Sequence, residues 1–200
     1  MTRTRAVLQP AVTALACALL LTPLAACGSR SDLASDSTPP RPTPSSTSAG
    51  VDATDPVDAA VRDAYRRATG AGLPAWAPEV RVYIGGRPAG RITAAEASAG
   101  ASWDGCPQGD QEYAGRSCPV GPAAPLAALL ADGGVTTTTV GAPAVVGCDR
   151  PKRPRVPEAA RSVSIVPDED HQDCFAAFSW TLYLDSDDEI VATDLVLSSP

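Results

Sequence analysis

The run CFAAFSWTLYLD at 174–185, followed by SDDE at 186–189 and IVATDLVL at 190–197, decides the fold. Ala176, Phe178, Trp180, Leu182 and Leu184 fall on one side, and Ser179, Thr181, Tyr183 and Asp185 on the other. That two-residue period predicts a long strand from Cys174 to Asp185 with one face in a core and one in water. Asp185 to Glu189 reads as a polar turn, and Ile190 to Leu197 as a strand pairing back. With Ser162 to Val166 before it, the C-terminal third is predicted to be a three-stranded antiparallel meander.

Upstream, the pattern changes to helix. Asp55-Pro56 supplies an N-cap acceptor and a first-turn proline, and Val57, Ala60, Val61, Ala64, Tyr65 and Ala68 form one apolar stripe that stops at Gly70. Val80, Val82 and Ile84 alternate with Glu79, Arg81 and Tyr83 as in a half-buried strand, and Gly85-Gly86 permits a turn into Arg87 to Thr93. Thr93 and Glu96 have capping-box spacing, Pro125 to Ala131 reads as a short helix, and Val135 to Val140 as a strand. About 145 residues from Asp55 onward suffice for one core. The expectation is therefore a single α+β domain over 55–200, its N-terminal helix laid on an antiparallel sheet.

The first 54 residues are of another kind. Arg3 and Arg5 precede an apolar stretch from about Ala11 to Leu24, too short for the roughly 20 residues that cross a bilayer. Leu24-Ala25-Ala26-Cys27-Gly28 resembles the lipobox of bacterial lipoproteins. The resemblance implies a signal peptide over 1–26, cleavage before Cys27, and a diacylglyceryl group on Cys27 that holds the chain at the outer face of the cell membrane, where paired acyl chains anchor stably. Residues 27–54, rich in Ser, Thr and Pro with Leu33 and Val51 as the only sizeable apolar side chains, read as a disordered tether. One lysine against many arginines, with heavy Ala, Pro and Gly, resembles the usage of GC-rich actinobacterial genomes. Loss of residues 1–26 takes away two arginines and no acid, so the net charge moves from −7 to −9. Such a surface repels phosphates and argues against a nucleic-acid partner.

With Cys17 in the signal and Cys27 acylated, Cys106, Cys118, Cys148 and Cys174 remain, an even number in an exported domain. Of three connectivities, Cys106 with Cys118 and Cys148 with Cys174 close the shortest loops. A zinc site is the alternative, but no Cys-x-x-Cys pair occurs and His171 to Cys174 is the only short His/Cys spacing.

Catalytic signatures are sparse. There is no Gly-x-Ser-x-Gly elbow, no Ser-x-x-Lys pair and no phosphate-binding loop. His171, the one histidine, sits among Asp168, Glu169, Asp170 and Asp173 and reads as an exposed loop residue. Asp185-x-Asp187-x-Glu189 lacks the glycine and distal glutamate of a calcium loop. Trp76, Trp103 and Trp180 read as core. Arg150, Lys152, Arg153 and Arg155, stiffened by Pro151 and Pro154, are a candidate contact for anionic cell-wall polymer, set against the simpler reading that they balance nearby acids. Short cysteine-braced loops also resemble, in outline, bacterial subtilisin inhibitors, where a bond beside a cysteine enters a protease; Arg150-Pro151 would take that place, and it is a bond that most serine proteases reject. The expectation is a non-enzymatic binding domain at the cell envelope, with no cofactor and no metal; the alternatives are an envelope hydrolase or an inhibitor-like domain.

Overall fold

In the computed structural model, residues 55–99 and 103–199 are described. The signal peptide, Cys27 and the tether expected over 1–54 lie outside the described residues.

Helix α1 (Pro56–Thr69) forms where the stripe predicts it. The Asp55 carboxylate accepts the Val57 N–H at 2.9 Å, and Gly70 closes the helix at φ 77°, a conformation that favours glycine. Val57, Ala60, Val61, Ala64 and Tyr65 are buried, while Asp63 pairs with Arg66 and Arg67 on the outer face. The Tyr65 hydroxyl donates to the Asp188 carbonyl at 3.0 Å, tying the helix to the far turn of the sheet.

The remaining elements are β1 (Ala75–Ile84), β2 (Arg87–Thr93), α2 (Ala94–Ser98), β3 (Glu112–Tyr113), β4 (Arg116–Ser117), α3 (Ala123–Ala131), β5 (Thr136–Val140), β6 (Arg161–Pro167), a single 3-10 turn at Glu169–His171, β7 (Phe178–Leu184) and β8 (Glu189–Leu197). Helix α2 carries the full Thr93/Glu96 capping box. Six strands form one sheet in the order β2-β1-β8-β7-β6-β5, with β3-β4 a separate small ribbon. The fold is α+β: α1 packs over β5 and β6 of a mostly antiparallel sheet that ends in the β6-β7-β8 meander. One junction departs from the expected antiparallel order, because β1 lies parallel to β8. The pairing is non-local, and no local pattern specifies it.

Under α1 the sheet presents Val80, Ile84, Val163, Ile165, Phe178, Trp180, Leu182, Leu184, Ile190 and Leu195 to the core. Trp76, Trp103 and Trp180 pack in a row with ring centroids 5.3 and 5.4 Å apart, so the tryptophans are structural. Two disulfides, Cys106–Cys118 and Cys148–Cys174, join the pairs that loop length favours.

Two details correct the sequence reading. Strand β7 begins at Phe178, four residues late, because the Asp173 carboxylate accepts the N–H groups of Phe175 and Ala176 at 2.8 and 2.6 Å and bends the chain there. Ala176 is accordingly exposed rather than part of the core stripe. More consequentially, β7 is buried on both faces. Ser179, Thr181 and Tyr183, expected in water, share the second face with Ser164 and Asp194, and all five are buried. Their cover is the proline-rich segment 141–160. Val156 and Ala159 pack on Tyr183 and Ala192, Val146 packs on Ala177 and Val196, and Arg81 pairs with Glu158 at the margin. A hydrogen bond of 2.7 Å between the Ser164 and Thr181 hydroxyls closes part of the polar balance beneath it.

Candidate functional site

A cleft of about 610 Å³ opens between α3 and the 168–176 loop, floored by Val120 and by Leu197 at the end of β8. Each wall follows from local sequence. Helix α3 has no charged residue; Leu126 and Leu129 turn inward, which leaves Ala124, Pro125 and Ala128 as a low apolar wall. Opposite, the Asp173-capped bend lifts Phe175 outward to 64% exposure at the rim. That bend is held twice: Cys148–Cys174 crosses it, and Gly147 lies so close to the Asp173 carbonyl and Ser198 that a Cβ would stand 2.7 Å from the former; the neighbouring Asp149 accepts the Ser199 N–H at 2.7 Å.

The rim is acidic. Asp104, Asp132, Asp170 and Asp173 line the cleft against Arg116 and His171. Arg116 is engaged by the carbonyls of Ala114 and Ser198, both at 3.1 Å. His171, expected as an exposed loop residue, is half-buried and held: its Nδ1 meets Asp168 at 2.5 Å, and its ring sits over Gly134, where a Cβ would stand 2.9 Å from Nδ1. The Asp168 hydrogen bond raises the His171 pKa above its ordinary value, and the same bond, with the Val135 N–H at 2.7 Å, holds the Asp168 carboxyl below the usual range. The backbone N–H groups of Ala176 and Phe175 likewise keep Asp173 ionised. The lining thus sets four carboxylates against one guanidinium and one imidazole around an apolar floor.

Of the basic candidates, Arg150, Lys152 and Arg155 are exposed, but segment 141–160, a strap laid across the sheet, buries the Arg153 guanidinium, with Nη1 and Nη2 unpartnered among the described residues. It lies near Tyr183 and Asp194, and its charge lowers the pKa of both against the larger effect of burial, which pushes Asp194 up to about 6 and Tyr183 up to about 12. Arg153 thus faces the sheet. The disulfide cysteines sit beside the cleft and brace it. Cys27 lies outside the described residues.

Phe175 is the residue that sequence reasoning passed over. It falls out of phase with the core side of the 174–185 alternation, and a large aromatic on the polar phase is a signal that a surface needs it. Among the described residues no three His, Cys, Asp or Glu side chains gather to hold a metal ion, and no helix is long and apolar enough to cross a membrane. No family model, curated protein or solved structure matches the chain.

Proposed function

We propose that this chain is a lipid-tethered envelope protein whose disulfide-braced domain binds, rather than transforms, an apolar ligand that carries positive charge. The tether reading rests on the charged, apolar and lipobox segments that end at Cys27. The binding reading rests on one observation: an apolar floor with Phe175 at its lip, ringed by four carboxylates against one guanidinium and one imidazole. An apolar body finds contact area there, and a cationic head finds four carboxylates among the lining residues. Acyl chains on Cys27 would keep the domain at the membrane face while 27–54 gives it reach.

An envelope hydrolase has one observation in its favour, the His171–Asp168 pair at the rim. Among the described residues, however, no hydroxyl or thiol is hydrogen-bonded to His171, so the pair lacks the nucleophile that such an arrangement activates. Titration with alkylammonium and alkylsulfonate ions of equal chain length, followed by amide chemical shifts, separates the possibilities. The ammonium series is expected to bind at least about tenfold more tightly, with shifts centred on Ala128, Phe175 and Leu197, and Phe175→Ala to weaken it. Equal affinity for the two series, or shifts centred elsewhere, would remove the reading.

A further inference from the structure

The two edges of the sheet are treated differently, and the difference points to a second copy of this chain. At one edge, β2 is guarded: it carries Arg87, Pro88 and Arg91, it is paired to β1 across a bulge between Val82 and Tyr83, and the loop beyond covers it through Gln108, whose N–H donates to the Pro88 carbonyl at 2.9 Å. Arg87 pairs with Asp110 and Arg91 with Glu79, so the edge is also charged. These are the means by which sheets block strand addition.

Strand β5, at the other edge, has none of them. Its sequence, TTTTV, contains no charge, no proline and no glycine, and its register with β6 is unbroken. The phase of its backbone is fixed by its flanks. Asp168 donates its N–H to the Val135 carbonyl at 2.9 Å, and Gly141 donates to the Ser162 carbonyl at 2.8 Å. In an antiparallel ladder the hydrogen-bonded residues alternate, so 135, 137, 139 and 141 face β6 and the N–H and C=O groups of Thr136, Thr138 and Val140 face away. Among the described residues none of those outward groups has a partner. Val140 is 97% exposed and Val135 56% exposed, at the two ends of the strand.

From this we propose that β5 pairs antiparallel with β5 of a second copy, about a two-fold axis through Thr138. That register sets Thr138 opposite Thr138 and Thr136 opposite Val140, so all the outward N–H and C=O groups are satisfied at once. It places no charge against a like charge, and it packs each Val140 side chain on the facing Thr136 and its neighbours. The sheet becomes continuous across the two chains. Five residues make a short contact, so the association depends on concentration.

The test is position-specific cross-linking of the full chain in its native envelope. Paired residues of this kind stand about 5.5 Å apart at Cα, within disulfide reach, whereas two residues 137 lie diagonally across the axis, beyond it. Thr138→Cys is expected to give a disulfide-linked dimer on non-reducing gels at least about tenfold more abundant than Thr137→Cys. Thr138→Lys, which sets two ammonium groups face to face, is expected to abolish association of the full chain in detergent while the chain stays folded by circular dichroism. Equal cross-linking at 137 and 138, a Thr138→Cys adduct with a different protein, or a Thr138→Lys variant that associates like the parent would each overturn the proposal.

Discussion

Asp194 offers the sharpest check on how the second face of the sheet is built. Its carboxyl is fully buried; Oδ1 accepts the Gly86 N–H at 2.9 Å, and Oδ2 has no partner among the described residues. Burial raises its pKa to about 6, the Gly86 hydrogen bond and the Arg153 charge offsetting part of that. Because the folded value lies above the unfolded one, the folded state holds an extra proton between about pH 4 and pH 6. Stability is therefore lost as the pH rises through that window and is level above it. Two pKa units correspond to about 3 kcal/mol at 1.36 kcal/mol each. Asp194→Asn keeps an oxygen for Gly86 and removes the titration. Urea unfolding of parent and variant from pH 3.5 to 8 isolates the effect, since every other carboxylate cancels in the difference. The curves should coincide near pH 3.5, and the variant should be more stable by about 3 kcal/mol above pH 6.5. A difference that does not vary with pH would show that burial leaves the Asp194 pKa where it stands in the unfolded chain, and a variant less stable at pH 7 would show that the ionised carboxylate is favoured in the fold; either outcome contradicts the raised value.

Three further outcomes follow from the geometry. Gly86→Ala should destabilise strongly, by about 2–4 kcal/mol in urea unfolding, because its φ is 74° and a Cβ would stand 2.2 Å from the Lys152 carbonyl oxygen of the strap. Leu182→Ala, with a fully buried side chain in the central strand, should cost about 2–5 kcal/mol by the same assay. The NMR titration of His171 should have its midpoint above that of a free imidazole, and Asp168→Asn should bring it down; since the folded pKa is raised, the pair stabilises the fold below the ordinary histidine pKa, and that contribution fades as the pH rises through the raised value.

What the sequence revealed depended on how local its cause was. The alternation of Phe178, Trp180, Leu182 and Leu184, the Asp55 cap and the Thr93/Glu96 box are all written within a few residues; both helices start where their caps predict, and the strand forms on its pattern but only from Phe178. The parallel β1–β8 pairing joins segments about a hundred residues apart and left no local mark. By sequence the polar face of β7 reads as wet, because Ser179, Thr181 and Tyr183 are polar. Their lack of charge was the available clue, since a solvated face ordinarily carries Lys or Glu, and the long strap at 141–160 was the other. Arg153 misled in the opposite direction: a basic residue between prolines looks like a surface contact until the strap is seen to turn it inward. The cleft was illegible as a whole, because α3, Leu197 and the 168–176 loop meet only in the folded chain, and Phe175 alone hinted at it.

The most direct test of the tethered-binder account is the intact mass of the native protein extracted from membranes, with any species released on unfolding identified. The account predicts a chain that begins at Cys27 and carries a diacylglyceryl group, accompanied by a cationic apolar compound. A chain that retains residues before Cys27, or one that emerges in the medium with an unmodified first residue, contradicts it.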